Sequence, residues 1–106
     1  MEHARFLDGI SRKDDKAWEE LYRYFYAPLC SYSAKIIGDA DAAEDIVQGL
    51  MTDLWEAPGT YHSFPAFRSF LYQSVKNRCI NHLRHQQVEK KYISYTLQHA
   101  ETSEGD

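Results

Sequence analysis

The amino-acid sequence predicts an all-α fold, a compact bundle of three to four helices. Apolar residues recur with the 3.6-residue period of an amphipathic helix, and no strand-length alternation bounded by turn residues is present. The chain has 106 residues, of which 43% are hydrophobic, so it can form one domain of ordinary size. Five glycines and three prolines exclude a collagen-like or low-complexity chain.

The first helical segment is predicted to begin near residue 15, with Asp14 or Asp15 as its N-cap. Pro28 removes a backbone donor and its ring clashes with the preceding turn, so we expect a kink or two abutting helices, 15–26 and 28–37. The core stripe of this segment is Trp18, Leu21, Tyr22, Phe25, Leu29, Tyr32 and Ile36.

A second helix is predicted between Gly38, which ends the first segment, and the turn-rich stretch 57–64. Asp41 and Glu44 have the spacing of a capping box. The residues at core spacing are Ala43, Ile46, Val47, Leu50, Met51 and Leu54.

A third helix follows, capped by Ser63 or Phe64 and with Pro65 in its first turn, where no backbone donor is needed. We expect it to end near Gln87 or to continue into Lys90 and Lys91. Its core stripe is Phe67, Leu71, Val75, Cys79 and Leu83, with Phe70 and Ile80 widening the buried face. The polar residues at the end of the chain are expected to fray or to form a linker.

The sequence favours a cytoplasmic protein. No apolar run approaches the roughly 20 residues of a membrane span, and the mixed, charged opening residues do not form a secretion signal. Cys30 and Cys79 lack CxxC spacing and are interpreted as reduced packing residues.

The net charge of −4 is unevenly distributed along the chain. Residues 1–61 carry a net charge of −6, residues 62–91 a charge of +5, and the remaining tail −3. Such asymmetry is typical of a nucleic-acid contact surface at one end of a domain, although uneven helix surfaces explain it equally well.

The second helix carries an acidic outward face that a basic partner helix would fit. Gly49 would let a partner backbone approach closely, and a solvated acidic face is the simpler explanation. The residues of this face are Asp45, Gln48, Gly49, Thr52, Asp53 and Glu56.

The third helix presents amides and a guanidinium on one face, groups that bind base edges and phosphates by paired hydrogen bonds. These residues are Gln73, Asn77, Asn81, Arg84 and His85, with Arg68, Lys76, Arg78, Lys90 and Lys91 extending the positive charge. Asn77 and Asn81 lower helix propensity without a capping benefit, which favours a function over mere solvation. In the preceding loop, Tyr61 and His62 could contact unpaired bases. Alternatively, Tyr61 and Phe64 close the end of the bundle, which is the preferred interpretation for Phe64.

No enzyme, metal or cofactor site is predicted. GxSxG, Walker-type GK[ST] and GxGxxG motifs are absent from the sequence. His82 and His85 are three residues apart, but they lack a third ligand, and Arg84 beside them would repel a cation.

The segments AWEELYRYFYAPL, AEDIVQGLMTDLW and FRSFLYQSVKNRCINHLR, in this order, closely resemble region 2 of extracytoplasmic-function sigma factors of the sigma-70 family. The resemblance covers about residues 14–91. It divides the chain into a lead-in, 1–13, the region 2-like domain, 14–91, and a C-terminal extension or linker, 92–106.

The resemblance implies a transcription initiation factor whose partners are the RNA polymerase core, through the β′ coiled-coil clamp helices, and promoter DNA. In the family the second helix docks on the clamp, the loop 57–64 captures a base flipped from the nontemplate strand of the −10 element, and the third helix holds that strand. The implied polymerase-binding residues are Asp45, Gln48, Thr52, Asp53 and Glu56. The implied DNA-binding residues are Tyr61, His62, Ser63, Arg68, Gln73, Lys76, Asn77, Arg78, Asn81, Arg84, His85, Lys90 and Lys91.

The sequence departs from the family pattern at Asn81, where an acidic residue is frequent, and at Gly49, where a larger polar residue is usual. Complete factors carry a second helix-turn-helix domain that reads the −35 element. This chain ends before one, so we expect a fragment of a longer factor rather than a truncated natural form. An anti-sigma factor is a further potential partner. The alternative function is an all-α interaction module that binds a basic helix through its acidic face without DNA.

Overall fold

The computed structural model describes residues 2–104, with side chains for residues 2–99. Its α-helices are α1 (His3–Ser11), α2 (Asp15–Leu21), α3 (Ala27–Ile37), α4 (Ala40–Glu56) and α5 (Phe64–Glu104). A π-helical turn, Tyr22–Tyr26, joins α2 to α3 without a break, so the described residues form four continuous helices and no strand. The predicted all-α bundle is confirmed.

Residues 3–11, within the segment assigned to the lead-in, form α1. Phe6 and Ile10, one turn apart, are buried in the core, and the Trp18 indole N–H donates to the Ile10 carbonyl at 3.2 Å. Gly9 permits close contact between α1 and α2, because a Cβ at this position would lie 2.5 Å from the Cβ of Ala17. This helix therefore belongs to the bundle.

At the expected kink or helix junction near Pro28, residues 22–26 form the π-helical turn and α3 begins at Ala27. In a regular α-helix the proline ring would collide with the carbonyl of Tyr24, and the wider π-turn, which has one extra residue, gives the ring room. Gly38 ends α3 as predicted, with φ of 71° and its N–H donating to the Ala34 carbonyl at 2.8 Å.

The helix caps agree with the sequence in two cases of three. Asp14 caps α2 and Ser63 caps α5, each accepting from the backbone N–H three residues on at 3.2 Å. The predicted capping box of Asp41 and Glu44 is wrong. The helix begins earlier, and Asp39 in extended conformation caps α4 by accepting a hydrogen bond from Ala42 at 3.1 Å.

The core is formed where α3 packs against both α4 and α5, with α1 closing one end. The Ser33 hydroxyl and the Cys79 thiol, both buried, lie 3.1 Å apart and join α3 to α5. Two predicted core positions are wrong: Tyr22 and Phe70 are 45% and 39% exposed. Both rings lie at the edges of surface hollows described below.

The last helix leaves the bundle and extends well past its expected end near Lys91. From Arg84 to His99 every described side chain is exposed, because this part of the helix projects beyond the bundle. The longest dimension of the molecule is 70 Å. The exposed apolar residues here are Val88, Tyr92, Ile93, Tyr95 and Leu97. Helix thus replaces the expected frayed tail through Glu104, and residues 105–106 lie outside the described part. None of the described helices has the length and apolar character needed to cross a bilayer.

Candidate functional site

The two predicted surfaces meet at a groove of about 400 Å³ between the C-terminal half of α4 and the middle of α5. Leu50 and Leu54 give the groove an apolar floor, and the Phe70 ring is exposed at its side. Polar groups from both helices complete it. The lining residues are Leu50, Asp53, Leu54, Ala57, Phe70, Ser74, Asn77, Arg78 and Asn81.

An ion pair joins the two helices across this groove. The Arg78 guanidinium donates to the Asp53 carboxylate at 2.6 Å. A Cβ on Gly49 would lie 3.4 Å from Nη1 of Arg78, which is ordinary van der Waals contact. Gly49 is half-buried beside this side chain of α5, and the close approach of a partner backbone at Gly49 stays a prediction.

Four of the five predicted polymerase-binding residues form an exposed stripe along α4, which we call the acidic stripe: Asp45, Gln48, Thr52 and Glu56. The Gln48 side-chain amide donates to the Tyr26 hydroxyl at 3.0 Å, and the Thr52 hydroxyl donates to the Gln48 carbonyl at 3.0 Å. These contacts orient the polar groups of the stripe. Asp53, the fifth residue, belongs instead to the groove.

An aromatic hollow of about 300 Å³ lies beside the acidic stripe and was missed by the sequence reasoning. Trp18 and Met51 form its buried floor, while Tyr22 and Trp55, 45% and 41% exposed, form its walls. Trp18 and Trp55 pack edge to face at 5.0 Å. Tyr22 was predicted to lie in the core because it belongs to a helical stripe of large apolar residues. The hollow was therefore not predicted.

The loop before α5 is anchored to α1, because the Ser11 hydroxyl donates to the Gly59 carbonyl at 2.7 Å. Tyr61 was expected to be exposed but is half-buried, with ring centroids 4.9 Å from Phe67 and 5.3 Å from Phe70. Burial raises the pKa of the Tyr61 hydroxyl. His62 remains exposed, so it is accessible to a ligand.

Two neighbouring side chains have structural roles at the start of α5. The Ser63 hydroxyl is engaged in the helix cap. Phe64 packs against Phe25 and Phe6, with centroid distances of 5.8 and 6.0 Å, and therefore closes the bundle as predicted.

The predicted DNA-binding residues of α5 divide into those near the groove and those away from it. Asn77, Arg78 and Asn81 line the groove, and Gln73 donates to the Asn77 side chain at 3.3 Å. The other residues are exposed on the same helix: Arg68 over the ring of Tyr72, Lys76, Arg84, His85 paired with Glu89, Lys90 and Lys91. Lys90 and Lys91 lie on the projecting part of α5, beyond the bundle core.

The model of one protein family, described as sigma-70 region 2, matches residues 21–89. This span contains α3, α4, the groove and the part of α5 that lines it. The chain belongs to the sigma-70 region 2 family. The first two helices begin before the match, so α1 and most of α2 lie outside the matched residues of this region 2 domain.

The region 2 domain is similar to an RNA polymerase sigma-H factor of Pseudomonas aeruginosa, with 24% identity over 102 residues. The aligned part covers 96% of this chain and 53% of that relative, so the chain spans about half the length of the relative. No solved structure gave a significant match.

The described part of this region 2 domain contains no cluster of three or more histidine, cysteine or acidic residues that could hold a metal ion. His82 is half-buried, and its Nε2 atom has no hydrogen-bond partner. Cys30 is half-buried and Cys79 is buried, both as free thiols. Burial raises the pKa of the Cys30 thiol, which leaves it protonated and poorly nucleophilic near neutral pH.

Proposed function

We propose that this chain is the region 2 domain of an extracytoplasmic-function sigma factor, acting in the cytoplasm in transcription initiation. It docks on the β′ clamp helices of RNA polymerase and holds a melted strand of the promoter −10 element. Family membership and the groove between α4 and α5 support this proposal. The chain itself performs no covalent chemistry.

The docking surface is the acidic stripe together with the aromatic hollow. Exposed carboxylates of Asp45 and Glu56 suit the arginine and lysine side chains of a basic helix, and Gln48 offers a hydrogen-bonding amide already held by Tyr26. Beside them, Tyr22 and Trp55 can take up one apolar side chain or stack on a guanidinium. A partner helix that carries both kinds of side chain would cover the whole surface.

The groove carries the proposal for DNA, because it combines the three features that an unpaired base requires. The exposed Phe70 ring provides a stacking face, the Asn77 and Asn81 amides can pair with a base edge, and the apolar floor excludes water. Flipping a base costs a few kcal/mol of unstacking, and stacking on one aromatic ring contributes about 1–3 kcal/mol. Capture in the groove can therefore offset much of the cost of flipping.

The strand that leaves the groove would follow the basic face of α5. Lys76 and Arg84 lie on either side of the groove residues Asn77 and Asn81 along the helix, and both side chains are exposed. Their charges suit backbone phosphates. An anti-sigma factor, if one binds this domain, would cover the acidic stripe.

A binding titration against an isolated β′ clamp-helix fragment tests the docking surface. We expect saturable binding by the native chain, and its loss in Asp45→Arg/Gln48→Ala, because the change reverses one charge of the stripe and removes an oriented amide. Circular dichroism checks that the variant is folded.

The control for this titration is Asp8→Arg/Gln87→Ala, which makes the same two chemical changes at exposed positions of α1 and α5. It should bind as the native chain does. Equal binding by all three proteins, or none by the folded native chain, would contradict the docking assignment.

A further inference from the structure

The projecting part of α5, residues 84–99, continues the helix face that carries the groove amides. Because α5 is one continuous helix, its 3.6-residue period holds from the bundle into the projection. Counted from Asn81, Tyr92 lies eleven residues on and Tyr95 fourteen, each close to a whole number of turns. The proposed strand face therefore leads beyond the bundle to two aromatic side chains.

Tyr92 and Tyr95, which we call the tyrosine platform, are open to solvent. Their exposed fractions are 70% and 60%. The ring of His99 already lies against that of Tyr95, with 3.8 Å between the centroids and 30° between the planes. Exposed rings of this kind stack on unpaired bases of any sequence, since every base has a π-face.

The charge around the tyrosine platform suits a polyanion. Residues 84–99 carry three positive charges against the single carboxylate of Glu89, a net charge of +2 with the histidines neutral. Lys91 lies one turn before Tyr95, so its ammonium group is placed to contact the phosphate of a nucleotide that stacks there. The next acidic residue in the sequence is Glu101. Stacking faces and positive charge are thus combined on one exposed segment.

A second copy of this chain is a poorer occupant of the same face. Two such helices would bring like charges together, and a coiled coil needs apolar positions sustained over about three to four heptads. Here the apolar stripe consists of Val88, Tyr92 and Tyr95, and the positions before it are the polar Asn81 and His85. The face therefore fits a nucleic-acid strand better than a partner helix.

We propose that the tyrosine platform is a second nucleic-acid contact, on which bases of the strand held at the groove stack beyond the bundle. This inference rests on the proposed function and extends its strand site past Lys91. Tyr92 lies about 16 Å along the helix from Asn81, at 1.5 Å per residue. This distance equals about five nucleotides at the roughly 3.4 Å spacing of a stacked strand, so one strand can reach both sites.

The test is an anisotropy titration of the free full chain with a fluorescein-labelled, mixed-sequence single strand of about 12 nucleotides, long enough for both sites. Tyr92→Ala/Tyr95→Ala should weaken binding at least about tenfold, because two stacking rings are lost. The slope of log affinity against log salt should stay that of the native chain, since no phosphate contact is removed. Circular dichroism checks that the variant keeps its helix content.

Two matched variants serve as controls. Tyr92→Phe/Tyr95→Phe keeps both rings and removes only the hydroxyl groups, so it should bind the strand as the native chain does. Ile93→Ala/Leu97→Ala removes two exposed apolar side chains from the opposite side of the same segment, and it should also bind as the native chain does.

Three results would overturn the proposal. In the first, Tyr92→Ala/Tyr95→Ala binds the strand as tightly as Ile93→Ala/Leu97→Ala. In the second, Tyr92→Phe/Tyr95→Phe loses as much affinity as the alanine variant, which would assign the effect to the hydroxyl groups. In the third, sedimentation shows self-association of the native chain that the alanine variant abolishes, which would assign the face to a second copy.

The variant Lys76→Gln/Arg84→Gln separates this inference from the proposed function. A native chain that binds no strand overturns both. If Lys76→Gln/Arg84→Gln weakens strand binding and Tyr92→Ala/Tyr95→Ala does not, the tyrosine platform alone is overturned and the strand site at the groove stands.

Discussion

Replacement of Phe67 by alanine is expected to lower the free energy of unfolding by about 3–5 kcal/mol, the range for deleting a buried aromatic ring. Phe67 is fully buried, and its ring contacts those of Phe6, Phe25 and Tyr61 at centroid distances of 5.7, 6.2 and 4.9 Å. The cavity would lie where α1, the π-helical turn, the loop and α5 meet. The total free energy of unfolding of a native protein is only about 5–15 kcal/mol, so this variant loses much of its stability.

Urea unfolding followed by circular dichroism measures this effect. The control is Phe70→Ala, which deletes the same ring three residues away at a 39% exposed position. Phe70→Ala should lower the free energy of unfolding by about 1 kcal/mol or less, since surface substitutions have small effects on stability. A larger loss for Phe70→Ala than for Phe67→Ala would contradict the packing described here.

Neutralisation of Lys76 and Arg84 is expected to weaken single-strand binding tenfold to hundredfold near 50 mM salt, by the order-of-magnitude counterion relation. The slope of log affinity against log salt should become shallower by about 1.4, since each lost phosphate contact contributes about 0.7. Fluorescence anisotropy of Lys76→Gln/Arg84→Gln over a salt series measures both quantities. Binding to the clamp-helix fragment should not change.

Lys16→Gln/Arg23→Gln is the matched control, because it removes two exposed positive charges from α2 and the π-helical turn. Its salt slope should be that of the native chain. If both double variants bind the strand alike, α5 does not hold DNA. The alternative of an interaction module that binds a basic helix without DNA would then be preferred.

Local sequence patterns predicted most of the fold. The four-residue repeat of Phe67, Leu71, Val75 and Cys79 identified the buried face of α5, because helical periodicity reports burial directly. Gly38 and Ser63 marked helix ends, since their roles depend on nearby backbone groups. The sequence could therefore predict features that are fixed within about one turn of a helix.

The sequence could not predict features that depend on packing between helices in the same way. The groove forms where α4 and α5 meet. Asp53 and Arg78, which pair there, are 25 residues apart in sequence. Phe70 was expected in the core because its spacing fits the stripe, but the α4–α5 contact leaves its ring at the groove edge. The short α1 was missed because charged residues surround Phe6 and Ile10.

The acidic face of α4 was predicted only in part, for the same reason. Its six members were identified from helical spacing, and all of them except Gly49 are exposed. Their division between a docking stripe and the groove depends on the position of α5, which no local pattern contains. The aromatic hollow likewise requires Tyr22 and Trp55 to be brought together from two helices.

The proposed function requires that this domain, on polymerase, captures one unpaired promoter base in the α4–α5 groove. The most direct measurement is the affinity of the chain with polymerase core for a forked DNA in which each unpaired nontemplate position is made abasic in turn. We predict one position where loss of the base weakens binding about five- to hundredfold, the equivalent of one stacking contact. Phe70→Ala should reduce that dependence, because it removes the stacking face. Equal affinity for all abasic forks, or an equally large loss of affinity at the sensitive position in Phe70→Ala, would overturn base capture in this groove.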